Sequence, residues 1–76
     1  MRIEPIKANM NVLVFEDGSS VLFSYETPVA ACKDYKFYKT SKKWSRTTSR
    51  HINQWLEGCP VEEQDQSFFD NLVKGI

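Results

Sequence analysis

Asn11-Val12-Leu13-Val14-Phe15-Glu16-Asp17-Gly18-Ser19-Ser20-Val21-Leu22-Phe23-Ser24-Tyr25 is the stretch on which the fold turns. Two runs rich in β-branched and aromatic residues flank Asp17-Gly18. An Asp-Gly pair accepts the positive φ angles of a tight hairpin turn, so the stretch predicts two antiparallel strands. With Asp17-Gly18 as a two-residue loop, Val14 sits opposite Val21, Val12 opposite Phe23 and Leu13 opposite Leu22. One sheet face then reads Val12, Val14, Val21, Phe23 and Tyr25. The other reads Leu13, Phe15, Leu22 and Ser24. A shift of one residue in the pairing would exchange these faces.

Beyond the hairpin, Thr27-Pro28 predicts a bend or bulge, because proline cannot donate to a sheet ladder. Val29–Cys32 resumes an extended path, and Lys33-Asp34 reads as a second turn. Tyr35–Thr40 reads as a strand with Tyr35, Phe37 and Lys39 on one face and Lys36, Tyr38 and Thr40 on the other. Thr47 or Thr48 is a fitting N-cap for a helix that runs to about Glu57 and stops at Gly58. Its apolar positions are Ile52, Trp55 and Leu56, with His51 beside them. A second helix spans roughly Glu63 to Lys74, where Phe68, Phe69, Leu72, Val73 and Ile76 recur at helical spacing. Its acidic first turn suits the helix dipole, and Lys74-Gly75 suits its end.

Strands first and helices second predict an α+β fold: a small antiparallel sheet of three to four strands followed by two short helices packed on one face. The second face, with Leu13, Phe15 and Leu22, then needs a cover. Two covers are open: the segment Ile3–Ala8, or a partner, including a second copy of the chain as a homodimer through Leu13, Phe15 and Leu22.

Seventy-six residues, 41% of them hydrophobic and 26% charged, are expected to make one domain over residues 1–76. No apolar run reaches the ~18 residues of a membrane span, so no membrane-spanning helix and no membrane partner are expected. Met1-Arg2-Ile3-Glu4-Pro5 lacks the apolar core of a signal peptide, so the expected compartment is the cytosol. Cys32 and Cys59 form no CxxC pair and read as reduced thiols.

The chain has no net charge, yet its charges are segregated. Residues 1–32 carry two cations and four anions, net −2; residues 33–50 carry seven cations against Asp34, net +6; residues 51–76 carry Lys74 against five anions, net −4. Such a dipolar surface orients partners. In the basic segment, Lys36, Lys39, Lys42, Lys43, Arg46 and Arg50 are the candidate partner-binding residues. Tyr35, Phe37, Tyr38 and Trp44 lie among them, and basic side chains with exposed rings are also the chemistry of single-strand nucleic-acid binding. The plainer reading is a core Phe37 and Trp44 beside lysines that keep a strand edge solvated. A sequence pI near 6.6 is well below that of a dedicated nucleic-acid binder. A protein partner is therefore the first expectation and nucleic acid the alternative. The acidic group Glu57, Glu62, Glu63 and Asp65 reads as a solvated helix start, or as a face for a basic partner.

Catalysis is poorly supported. His51 is the lone imidazole, and no carboxylate shares its junction to orient it. Two distant cysteines and one histidine lack zinc-ligand spacing, and there is no phosphate loop or nucleophile elbow. The expectation is a non-enzymatic protein with no metal and no cofactor.

Phe23-Ser24-Tyr25-Glu26-Thr27-Pro28-Val29-Ala30 and Trp44-Ser45-Arg46-Thr47-Thr48-Ser49-Arg50-His51-Ile52-Asn53 together resemble a family of small uncharacterised phage and prophage proteins. Its members share an FSYxTPVA strand and a WSxTTxxHxN junction. The resemblance covers roughly residues 11–56. It implies a phage-encoded accessory protein acting in a bacterial host cytosol, with counter-defence as one role. The family has no assigned activity, so it implies no functional residues.

Overall fold

The computed structural model describes residues 1–74. Its elements are β1 (Arg2–Lys7), β2 (Met10–Val14), β3 (Ser20–Ser24), β4 (Thr27–Lys33), β5 (Lys36–Thr40), α1 (Arg46–Leu56), β6 (Val61–Gln64) and α2 (Gln66–Leu72). The strands form one sheet in the order β1-β2-β3-β4-β5-β6. Neighbours from β1 to β5 are antiparallel, and β6 lies parallel to β5. A parallel pair needs a long crossover, which α1 supplies. The fold is α+β, as the order of elements predicts, but with six strands among the described residues rather than three or four.

The β2–β3 hairpin forms with a different register. Val12 pairs with Leu22, Leu13 with Val21 and Val14 with Ser20. The loop is not the two-residue Asp17-Gly18. Phe15 N–H donates to Ser19 O at 2.9 Å and Gly18 N–H to Phe15 O at 3.1 Å, leaving Glu16, Asp17 and Gly18 as a three-residue loop. This is a turn followed by a left-handed residue, and Gly18 provides it at φ 91°. Asp17 locks the turn by accepting from the Ser19 amide (2.9 Å) and hydroxyl (2.6 Å). An odd loop length turns β3 over relative to β2. Leu22 and Ser24 therefore join Met10, Val12 and Val14, whereas Val21 and Phe23 join Leu13 and Phe15.

The next connections follow the expected punctuation. Tyr25-Glu26 turns β3 into β4, with Tyr25 at φ 59°. The bulge foreseen at Pro28 is present: Phe23 pairs with Pro28 and Leu22 with Ala30, so Val29 is the extra residue. The turn into β5 is Asp34-Tyr35 rather than Lys33-Asp34, with both residues at positive φ. The N-terminal segment does not cover a sheet face. It forms β1 at the sheet edge, with all six residues exposed.

The helices lie on opposite faces of the sheet, not on one. Ile52 and Leu56 of α1 pack on Met10, Val12, Leu22 and Ala30. Phe69 of α2 packs on Val21 and Ala31, with Phe15, Phe23, Tyr38 and Phe68 around it. Phe69 is fully buried, which is worth about 2–3 kcal/mol over leaving it in water. Both faces of the hairpin are apolar in either register, so each needs a cover; the register decides which side chains each helix meets. Leu13, Phe15 and Leu22 accordingly do not form one patch: Leu22 lies beneath α1, and Leu13 and Phe15 are on the α2 side.

Two boundaries also move. Ser45, not Thr47 or Thr48, caps α1: its Oγ accepts from Thr48 N–H at 3.2 Å. The helix ends as expected, with Glu57 and Gly58 both left-handed (φ 46° and 79°). The expected start of the second helix at Glu63 is instead β6, where Val61 pairs with Phe37 and Glu63 with Lys39. Half-buried Val61 packs under α1, and this tertiary contact outweighs the helix preference of the two glutamates. Helix α2 starts at Gln66. Ile76, assigned to its apolar stripe, and Gly75, assigned to its end, lie outside the described residues. Among the described residues, no helix is long and apolar enough to cross a membrane.

Candidate functional site

The chain leaves β5 at Thr40, crosses Ser41-Lys42-Lys43-Trp44 and enters α1 at Ser45. This junction is held from below by one amide. Gln66 Oε1 accepts from Thr40 Oγ1 (2.8 Å) and Trp44 Nε1 (3.2 Å), while its Nε2 donates to Pro28 O (2.7 Å) and Asp70 Oδ1 (3.2 Å). Thr40 Oγ1 in turn accepts from Lys42 N–H at 3.2 Å. Trp44 thus has its polar edge turned to the protein and stays part-exposed, with Lys42 Nζ 4.3 Å above its ring. A cation over an indole face is an attraction of order 0.5–1 kcal/mol at such exposure.

Above this anchor lies a small cleft of about 170 Å³ between the end of β5 and the first turns of α1. Lys39, Lys42, Lys43, Trp44, Ser49 and Glu63 are among its walls. Of the six candidate cations, the fold brings Lys39, Lys42 and Lys43 together here. Arg46 and Arg50 do not line the cleft; both are exposed and lie one turn apart on the adjoining N-terminal half of α1. Lys36 does not join them. It alternates with Phe37 on β5 and belongs to the α2 face, whereas Lys39 shares the α1 face with Phe37. Among the described residues, Lys39 alone of the six has an ion-pair partner, Glu63 at 3.9 Å.

The tryptophans and Phe37 divide as follows. Trp55 packs edge-on against Phe37 with ring centroids 6.0 Å apart, so both belong to the α1-side core. Tyr35 is fully exposed at its turn, at the opposite end of β5 from Trp44. The rim therefore carries one exposed ring, Trp44, rather than a row of stacking platforms.

His51 is not at this rim. It is buried, and its Nδ1 lies 2.8 Å from Ser24 Oγ. Ser24 Oγ is also 2.9 Å from Thr48 Oγ1, which accepts from Ser45 Oγ at 3.2 Å. The Tyr25 ring leans on the imidazole at 6.1 Å. Burial lowers the His51 pKa below its usual value, and the positive charge of Lys7 lowers it further. The two sequence motifs thus meet in space: Ser24 and Tyr25 of the first touch Thr48 and His51 of the second. Sequence reasoning placed His51 beside the apolar stripe but missed Ser24 as its partner, because the flipped register was needed to turn Ser24 toward α1. It also missed Gln66, whose role is apparent only once α2 lies across β4 and β5.

Cys32, half-buried in β4, and Cys59, exposed before β6, are free thiols. Among the described residues, no three His, Cys, Asp or Glu side chains are grouped as a metal site.

No curated protein and no solved structure matches the chain. A family model does, over residues 1–71, which takes in all six strands, α1 and, but for its last residue, α2, together with the rim and the buried histidine. The chain belongs to the family of unknown function DUF8033.

Proposed function

We propose that this chain is a non-catalytic binding protein whose basic rim, built by Lys39, Lys42, Lys43, Arg46 and Arg50, seats on an acidic surface of a partner protein. Lys36 stands apart from that rim and contributes only to the overall field. The observation that carries this reading is the lack of compensation: four exposed cations, Lys42, Lys43, Arg46 and Arg50, follow half-buried Lys39 around one junction, and among the described residues only Lys39 has a carboxylate beside it. Uncompensated like charges in a small area repel one another, and an anionic partner relieves that repulsion while steering its own approach. The phage-type resemblance of the two motifs supports an accessory role in a bacterial host cytosol, with counter-defence by surface occupation as the form it takes.

The test is capture of partners by the tagged chain from infected cells, with and without nuclease. A parallel arm uses the K42E/K43E/R46E variant. Nuclease-resistant capture by the wild type and its loss in the variant support the proposal, provided the thermal melts agree. Undiminished capture by the variant removes it. Nucleic acid is the second reading, favoured by the part-exposed Trp44 beside Lys42 and Lys43. It predicts nuclease-sensitive capture and an affinity for single strands that falls steeply with salt.

A further inference from the structure

We propose that β1 is a self-pairing edge through which two copies of this chain join in one continuous sheet, with Ile3 on the two-fold axis. This inference is independent of the basic rim.

The argument begins with which backbone groups of β1 are free. Tyr25 N–H donates to Asn9 O, and Phe15 N–H to Ser19 O, so the odd-numbered residues of β2 point their backbone groups at β3. Backbone direction alternates along a strand, so Met10, Val12 and Val14 point theirs at β1. Their β1 partners there are Arg2, opposite Val14, and Glu4, opposite Val12. Ile3 and Pro5 therefore direct their backbone outward. Pro5 has no N–H to offer, and the register breaks between Pro5 and Lys7. Proline, a bulge and a lysine are the devices that close an edge against pairing. They close the second half of β1 and leave one open window, Arg2–Glu4, where Ile3 presents both N–H and C=O.

A window this short admits one antiparallel register with two-fold symmetry. Ile3 pairs with Ile3 of the second copy through two reciprocal hydrogen bonds. Arg2 then falls opposite Glu4, and Glu4 opposite Arg2, in the close, non-hydrogen-bonded positions. The edge is thus complementary to itself in charge. Arg2 and Glu4 already share a face and a 2.8 Å contact within one chain, so the pairing makes a four-charge cluster. On the other face, Ile3 is 69% exposed and borders an apolar trough lined by Leu13, Phe23 and Tyr25. Placing two Ile3 side chains together extends that trough across the axis and withdraws them from water. A contact of this size sits at the weak end of interface classes, so the dimer forms at high concentration.

Sedimentation velocity up to about 1 mM chain, at low salt, tests this directly. The wild type is expected to shift from monomer to dimer as concentration rises. Ile3→Pro removes the outward N–H and the Ile3 side chain, both of which the pairing uses, and leaves the β1–β2 bonds at Arg2 and Glu4 in place. It is expected to stay monomeric with an unchanged thermal melt. R2E puts like charges opposite each other and is also expected to be monomeric, whereas R2E/E4R restores the pairing and the dimer. A wild type that stays monomeric throughout overturns the proposal. So does a dimer, or a larger assembly, that persists in Ile3→Pro, or a charge swap that fails to rescue.

Discussion

Ser24 Oγ and His51 Nδ1 lie 2.8 Å apart although 27 positions separate them in the chain. Ser24 is on the α1 face of β3, and His51 is on the inner side of α1. This bond, with Thr48 as third member, is the buried polar contact between the helix and the sheet. Ser24→Ala leaves the buried His51 Nδ1 without its partner and takes one of two hydroxyl partners from Thr48, which keeps Ser45. It is expected to cost about 1–3 kcal/mol, read from urea unfolding at pH 7.5. A Ser24→Ala chain as stable as the wild type would mean the cluster is a passenger in the core.

Stability should depend on pH through His51. Burial first, and Lys7 second, hold its folded-state pKa below the ordinary 6.5. The unfolded chain therefore takes up a proton sooner as pH falls. The contribution of neutral His51 is fully present above about pH 6.5 and is lost as pH drops from there toward the folded pKa. Asp17 acts in a separate window. The Ser19 hydroxyl and amide lower its pKa from 3.8, so its contribution is lost only in stronger acid. Urea midpoints measured from pH 7.5 to 5 should fall in the wild type and stay nearly level in His51→Gln at the same pH values.

The three-residue loop sets the faces of β3, so its length matters more than its composition. Gly18→Ala places a side chain at φ 91°, a backbone region L residues avoid, and is expected to destabilise by about 1–2 kcal/mol without changing the fold. Deleting Glu16 is a different perturbation. It restores an even loop, drives Val21 and Phe23 toward α1 and turns Leu22 and Ser24 toward α2. That chain is expected to lose cooperative unfolding, seen as a broad melt and poor amide dispersion in NMR.

The α2 side of the core depends on one ring. Phe69 is fully buried against Val21 and Ala31, whereas the adjoining Phe68 is half-buried. Phe69→Ala is expected to cost about 3–5 kcal/mol. A 76-residue domain holds on the order of 4–11 kcal/mol in all at typical values per residue, so this loss approaches the whole margin. Phe68→Ala should cost roughly half as much. Guanidinium unfolding of the two variants ranks them.

The hairpin, the bulge at Pro28 and the end of α1 were legible because they rest on local backbone chemistry at Gly18, Pro28, Glu57 and Gly58, and β5 was legible in the alternation along Tyr35–Thr40. What was illegible depended on long-range geometry. Asp17-Gly18 marks a turn equally well in a loop of two or three residues, and only the cross-strand partners of Val21 and Leu22 decide between them. Val61–Gln64 carries two glutamates and no apolar alternation; it is a strand because β5 offers it an edge. The cations were visible as a charge block, but the separation of Lys36 from Lys39 follows from their placement on opposite faces of β5. The meeting of Ser24 with His51 depended on the register as well.

The sheet's two kinds of pairing also divide its assembly in time. From β1 to β5 each strand pairs with the one just before it, across loops of a few residues, so this part can zip up locally and fast. Strand β6 cannot do so: residues 41–60, with all of α1, must be laid down before Val61 finds Phe37. Gln66, which reaches back to Thr40, Trp44 and Pro28, then arrives with it. The C-terminal quarter thus works as a clasp that shuts last and opens first, and slow amide exchange should mark β2, β3 and β4 rather than β6.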